Sequence, residues 1–387
     1  MAHAYIVETA RTAGGRRGGA LRDWHPANLG AEVLNALVAR AGIDGAVIDD
    51  VIVGCVSQGG EQSFAFGRNC VLASTLPQSV PAVTIDRQCG SSQQAVQFAA
   101  QAVMSGTQDV VVAMGVESMT RVPMGSNVSL YAKAGLGEGP FSDRIEARYG
   151  TKNFSQFIGA EMVAQKHGFN REALDAYALE SHRRAAAARD GGAFDAEIIP
   201  LAIEGGMHTR DEGIRDDATF DGISSVKLLD PDGMISAANA SQICDGAAGV
   251  LVVSEAALKK YNLTPKARIV NLTVTAGDPV IMLEEPLPAT DRALERAGMK
   301  IDDIDLFEVN EAFAPVPLAW LKHLGADADK LNVHGGAIAL GHPLGASGTK
   351  LMATLLNALE QTGGKYGLQT MCEGGGQANV TIIERLG

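Results

Sequence analysis

A chain of 387 residues, 46% apolar and 20% charged, has the material for two or three packed domains, and its 45 glycines fall in short clusters that mark tight turns rather than disorder. The net charge of −13, from 32 basic and 45 acidic residues, excludes the basic stripe of a nucleic-acid binder, so any anionic ligand has to be held by a local patch. Five widely spaced cysteines (Cys55, Cys70, Cys89, Cys244, Cys372) without CxxC pairs exclude a disulfide framework and a zinc site, and fit a reducing, cytoplasmic setting with no metal.

The N-terminal "MAHAYIVETARTAGG" carries Glu8 among few apolar residues and reads as neither a signal peptide nor an import sequence. Short apolar runs, "AYIV", "VIVGCV", "AVTI" and "VVVAMG", then alternate with helical stretches, the pattern of a buried, largely parallel or mixed sheet. "GVLVVS" fits the same layer. The longest apolar runs, "VVVAMGV" and "AAGVLVV", are too short to span a membrane and read as buried strands. "ALVARAGIDGAVIDDVIVG" (36–54) and "ALERAGMKIDDIDLFEVN" (293–310) share one order: a helix ending in Ala-Gly, a turn, Ile-Asp-Asp and an apolar strand. Either two α/β halves are duplicated, or a common helix C-cap and strand start occurs twice.

After "VTID", Cys89 opens a helix with small apolar residues at helical spacing (Ala95, Ala99, Ala102, Val103), which Ser91 or Ser92 is placed to cap. A thiol there faces the positive end of the helix dipole and free N–H groups, which favour thiolate and can stabilise an oxyanion. The competing reading is a buried core cysteine, as expected for Cys55 and Cys70. From about 119 to 241 the chain turns Gly-, Asp- and Arg-rich around a helical core, "REALDAYALESHRRAAAAR", and looks like an excursion inserted into the first half.

"FEVNEAFAPVPLAW" puts Asn310 at the end of an apolar strand, where its amide either holds a water or a carbonyl oxygen or simply caps a helix. "NVHGGAIALGHPLGASGTK" fails the phosphate-loop pattern, but it sets His342 between Gly341 and Pro343, a better general base than His334; a polar turn histidine is the alternative. "TMCEGGGQANVTIIE" ends a strand on Cys372 before a glycine turn, where a tuned thiol can act as acid and base or a buried cysteine can merely pack. Together these four stretches supply two thiols, an imidazole and an amide, the equipment for acyl transfer through a covalent thioester.

The sequence strongly resembles the thiolase family of acyl-CoA C-acyltransferases along essentially its whole length, through "VETARTAGGRRGGAL", "DRQCGSSQQA", "ANASQICDGAA", "VNEAFAP", "NVHGGAIALGHPLGASG" and "CEGGGQANV". The resemblance implies an α/β thiolase fold: two duplicated βαβαβαββ halves in a five-layered αβαβα arrangement with an inserted loop domain. Residues 1–118 with 242–268 would form the N-terminal half, 119–241 the loop domain that binds CoA and substrate, and 269–387 the C-terminal half.

The resemblance further implies that Cys89 is the nucleophile and that His342 activates it and contributes to one oxyanion hole. Asn310 would position a water in that hole, and Cys372 would be the second acid/base. The N–H groups of Cys89 and Gly374 would form the other oxyanion hole. Arg215 near the CoA nucleotide, Ser241 near the pantetheine arm, Ala237 and Phe313 would be the CoA contacts. CoA would be a substrate, with no tightly bound cofactor, and the assembly a homodimer or homotetramer with neither nucleic acid nor membrane as partner.

Three departures bear on substrate. "FSQFIGAEM" (154–162) stands for the "MGxTAE" of acetoacetyl-CoA thiolases, with bulkier side chains; His334 replaces the asparagine of "NVNGGAI"; and Glu373 gives "CEGGG" for "CIGGG". Together with "DRQCGSSQQA", "TMCEGGG" resembles the branch that degrades unusual or steroid-derived acyl-CoAs. The expectation is cleavage of a 3-ketoacyl-CoA by CoA to acetyl-CoA, or a substituted equivalent, and a shortened acyl-CoA. A biosynthetic acetoacetyl-CoA thiolase is the alternative, and a non-catalytic acyl-CoA or sterol carrier would lack one of the four groups. A ketoacyl synthase would carry a histidine where "NEAF" stands, and a nicotinamide-dependent dehydrogenase would need a GxGxxG after the first strand.

Overall fold

The apolar runs form strands buried on both faces, as expected where helices cover a sheet from each side. The computed structural model describes residues 2–387. Its nine long strands are β1 (Ala4–Thr12), β2 (Asp50–Gly54), β3 (Ala82–Ile85), β4 (Val110–Ser118), β5 (Cys244–Ser254), β6 (Ala267–Ala276), β7 (Leu306–Val309), β8 (Tyr366–Glu373) and β9 (Gln377–Arg385). They run in the order β7-β8-β9-β6-β1-β5-β4-β2-β3.

The pairing carries the duplication suggested by the two "RAG…IDD" stretches. In the first half β3, β2 and β4 are parallel neighbours, β5 turns antiparallel to β4, and β1 is antiparallel to β5. In the second half β7 and β8 are parallel, β9 is antiparallel to β8, and β6 is antiparallel to β9. The counterpart of β3 has shrunk to one parallel bridge, Phe307 to Leu331. The halves meet where β1 pairs with β6. Helix α1 (Pro26–Ala41) ends at Gly42 with φ of 66°, and its counterpart further along the chain, Pro286–Ala297, ends at Gly298 with φ of 65°. Each then makes a single 3₁₀ turn into β2 or β7.

Helices α2 (Phe66–Ala73) and α3 (Ser91–Ser105) complete the first half; α4 (Gln156–His167) and α5 (Arg171–Asp190) lie between β4 and β5; α6 (Pro286–Ala297), α7 (Pro315–Leu324) and α8 (Ser347–Thr362) belong to the second half. Helices α1 and α2 cover one outer face, α6 and α7 the other, and α3 packs on α8 between the two half-sheets, giving five layers. No described helix is long and apolar enough to cross a membrane.

The middle layer depends on small residues. On α3, Ala95, Ala99 and Val103 are buried against Met352, Leu355, Leu356 and Leu359 of α8. At the N-terminal end the helices come so close that a Cβ on Gly348 would overlap the backbone nitrogen of Gln93. Backbone cannot yield there as a flexible side chain would, so Gly348→Ala is expected to cost about 1–3 kcal/mol of overpacking. A lowered thermal midpoint with reduced activity checks it; an unchanged midpoint would show that the α3–α8 contact is looser.

Candidate active site

Cys89 sits in the turn between β3 and α3. Gln88, just before it, is held at φ of 49°, unusual for a non-glycine residue, and its N–H donates to Asp86 Oδ1 at 2.6 Å. The expected serine cap on α3 is not made, because Gly90 takes the N-cap position and both hydroxyls are engaged elsewhere. Ser91 Oγ accepts from the Arg87 N–H at 3.0 Å and donates to the Gln88 carbonyl at 2.6 Å, pinning the turn. Ser92 Oγ accepts the Thr349 N–H at 3.0 Å, which ties α3 to α8.

The glycine turn after β8 closes on this turn from the other half. A Cβ on Gly374 would lie 2.9 Å from the Gln88 side chain, and one on Gly90 would overlap Glu373 Oε1. Cys372, next to last in β8, is fully buried, and Cys89 is close enough to act electrostatically on it. Asn310 follows β7 and is buried, its N–H donating to the Thr370 carbonyl at 3.0 Å. It caps no helix, since α7 begins at Pro315, and neither Nδ2 nor Oδ1 of its side chain has a protein partner. Glu308, Asn310, Gly341 and Ser347 line one small cavity, so the amide and the His342 loop share a space.

His342 is buried, with Nδ1 2.5 Å from Ser347 Oγ, and Ser347 Oγ donates to the Pro343 carbonyl at 3.0 Å. Both contacts are satisfied at once when Nδ1 carries the proton and donates to Ser347. Nε2, which has no partner, is then left with its lone pair free. The loop is held from below by Lys350, whose Nζ donates to the Leu340 and Gly341 carbonyls at 2.5 and 3.3 Å. Glu117 at the end of β4 accepts the N–H groups of Gly345, Val56 and Ser57.

These surroundings overturn the expectation of a ready-made thiolate. Burial, then the carboxylates of Glu373, Glu117 and Asp86, push the Cys89 thiol up to about 12, outweighing the helix start. Burial and the charge of Lys350 push His342 down to about 3. Both groups therefore rest neutral near pH 7, one a thiol and the other an uncharged base. Cys55 and Cys70 lie in the outer core of the first half with thiols pushed up by burial, as the bland reading of each expects. His334 is taken up by scaffold contacts, with Nε2 3.0 Å from Gln361 Oε1 and the ring edge-on to Phe194.

A cleft of about 190 Å³ lies between α5, the 215–226 segment and the 237–242 segment, lined by His182, Arg215, Asp217, Ala237, Gln242 and Ile338 among others. Arg215 and Ala237 therefore share one cleft. Ser241 and Phe313 are not on its wall but are brought together beside it, where Ala240 bridges to Phe313 and the Ser241 N–H donates to the Ala312 carbonyl at 2.9 Å. Gln242 joins cleft and loop, because its carbonyl accepts the His342 N–H at 2.9 Å while its side-chain amide donates to the Ile338 and Gly213 carbonyls. Phe157 of the "FSQFIGAEM" stretch packs edge-on to Phe313 at 5.6 Å between centroids. Sequence reading missed Ser347, Glu117 and Gln88. Glu117 alone left a signal, an acid ending an otherwise apolar strand.

The family model described as "Thiolase, N-terminal domain" matches residues 4–256, and "Thiolase, C-terminal domain" matches 263–385. Steroid 3-ketoacyl-CoA thiolase FadA6 of Mycobacterium tuberculosis is 50% identical over 388 aligned residues, covering 100% of this chain and 95% of the relative. Beta-ketoadipyl-CoA thiolase of Acinetobacter baylyi is 42% identical, with 100% of both chains covered. The crystal structure of human mitochondrial 3-ketoacyl-CoA thiolase is similar at a TM-score of 0.90 and 37% identity, covering 100% of this chain and 99% of that one.

Proposed function

The chain belongs to the thiolase family and is an acyltransferase of the degradative, 3-ketoacyl-CoA-cleaving kind, and on that premise we propose how its residues divide the work and which acyl group they take. The observation that carries the assignment is that His342 Nε2 and the Asn310 amide are buried without partners, with Asn310 and the His342 loop on one shared cavity and Asn310 tied to β8 two residues before Cys372, whose following turn closes on the Cys89 turn. Buried polar atoms without partners are costly, so a site that keeps them keeps them for a ligand.

As Cys89 Sγ attacks the 3-keto carbonyl carbon, His342 Nε2 takes its proton, and the oxygen of the tetrahedral intermediate is received by the N–H groups of Cys89 and Gly374. The bond between C2 and C3 then breaks, its electron pair passing to C2 of an acetyl-CoA carbanion. The thioester oxygen of that carbanion is held by the imidazolium and by a water on Asn310, and Cys372 gives C2 a proton. Incoming CoA loses its thiol proton to the Cys372 thiolate and attacks the acyl-Cys89 thioester. The proton on His342 returns to Cys89 as the shortened acyl-CoA leaves. Each proton taken is given back, and the two half-reactions predict ping-pong kinetics.

CoA is here a substrate rather than a resident cofactor, and Arg215, Ala237, Ser241 and Phe313 are the residues assigned to it, within a binding segment spanning 119–241. Arg215 supplies the local positive charge that a chain of net −13 needs for a polyanionic ligand. A homodimer or homotetramer is the proposed assembly, supported by exposed Phe64 and Val83 beside the free edge of β3. Five free cysteines support a reducing compartment such as the cytoplasm.

The acyl group is a bulky or ring-bearing one, supported by the aromatic 154–162 stretch and by the higher identity to the steroid thiolase than to the other relatives. The test is thiolysis of a panel of 3-ketoacyl-CoAs, from acetoacetyl to branched and cyclic. The expected result is at least tenfold higher kcat/KM on the bulky members than on acetoacetyl-CoA. The reverse ranking would sink the substrate assignment and leave the mechanism standing.

A further inference from the structure

Glu373 is a carboxyl the reaction above does not use, and its surroundings are unusual. It ends β8 directly after Cys372, is fully buried, and its Oε1 lies against the Cα of Gly90, in the space a Cβ would need. Asn379 Nδ2 donates to the same oxygen at 2.5 Å in the amide orientation that also lets Asn379 Oδ1 accept the Gln94 N–H at 3.2 Å. One side chain thus touches the residue after the first cysteine and follows the second in sequence.

The charged and titratable groups around it come from three elements. The turn before α3 contributes Arg87 and Cys89, with Asp86 acting on Cys89, and β8 contributes Cys372, while the β9 neighbours Gln377 and Asn379 are neutral. Glu117 of β4 acts on Cys89 from further off. Arg87 is the cation that works on Glu373, but its Nη1 is committed to Gln377 Oε1 at 2.7 Å and its Nε is buried without a partner.

We propose that Glu373 is a positioning residue acting through the two thiols: it braces the Cys89 turn against the end of β8, and the loss of its own proton sets when either cysteine can ionise. The inference rests on Cys89 and Cys372 being the reacting pair. Burial holds the Glu373 carboxyl well above its usual range, so it keeps its proton to higher pH than an exposed carboxyl does, and while it keeps it Cys89 is free to pass its own proton to His342. As pH rises the carboxyl ionises, and its negative charge opposes a second negative charge on either sulfur. An alkaline brake on thiol ionisation results, which the isoleucine of the usual "CIGGG" could not provide.

The test is the rate of Cys89 alkylation by iodoacetamide against pH, read by peptide mass spectrometry in the full-length protein and in Glu373→Gln. Glutamine keeps the shape and the contact with Asn379 but cannot ionise. The two proteins are expected to react alike at pH 6. At pH 9 the variant should react about tenfold faster, its midpoint lying about one pH unit lower. A brace without charge coupling would change the rate by one factor at every pH, and superimposable or parallel curves would overturn the inference. Should Glu373→Gln lose its folded near-UV spectrum, Glu373→Ile is measured in the same way with the same expected outcomes. If Cys89 in the unmodified protein is not alkylated at all, or is not protected by acyl-CoA, the nucleophile assignment fails instead, so the two failures are distinguishable.

Discussion

Cys89→Ala is expected to remove thiolysis altogether, a loss of about four orders of magnitude or more, because the covalent path has no other nucleophile to pass through. Incubated with a 3-ketoacyl-CoA or with acetyl-CoA, the unmodified protein should gain the mass of one acyl group on the peptide carrying Cys89, and the variant should gain none. The fold should survive: Cys89 is only partly buried, it precedes α3 rather than packing within it, and the turn is held by Ser91 and Asp86. Cys55 and Cys70, sealed in the outer core, serve as internal controls and should stay unacylated in both proteins. An acyl adduct on the variant, at whatever residue, would mean that the nucleophile has been misassigned.

The sequence made the halves and the reacting groups legible for a physical reason. Strands buried on both faces require continuous apolar runs, and turns that approach a ligand or another turn require glycine, so "VVVAMGV", "GHPLGASG" and "CEGGG" each leave a pattern. What one stretch could not reveal was its partner. The Gly90 turn is unremarkable until Glu373 is seen filling its missing Cβ, and the free Nε2 of His342 follows only from a serine whose hydroxyl is already spent on Pro343. The electrostatics were read with the wrong sign at Cys89. A helix start is visible in the sequence, whereas the burial and the three carboxylates that outweigh it come from the turn after β3, from β4 and from β8 and meet only in the folded chain. The third strand of the second half escaped for the opposite reason: it survives as a single bridge at Leu331, too short to leave a periodicity.

Cys372→Ala is expected to slow both half-reactions while leaving in place the thioester that Cys89→Ala abolishes. Burial, with Cys89 and Glu373 nearby, pushes the Cys372 thiol well above its usual range, which suits both of its duties. A carbanion beside a thioester is a far stronger base than any thiolate, so even this thiol protonates it readily. The thiolate left behind is a stronger base than that of CoA in water, and therefore takes the proton of the incoming CoA thiol. Without the sulfur, acyl transfer to Cys89 still has its nucleophile, its base at His342 and its oxyanion donors, but proton delivery to carbon and activation of CoA fall to water. Turnover should drop by about 10²–10⁴-fold, the range of one general acid–base group. The acyl-Cys89 adduct formed from acetyl-CoA should outlive that of the unmodified protein on addition of CoA, a persistence that rapid-quench mass spectrometry reads directly. Near-normal turnover, or an adduct discharged by CoA at the normal rate, would remove Cys372 from the mechanism while leaving the Cys89 thioester in place.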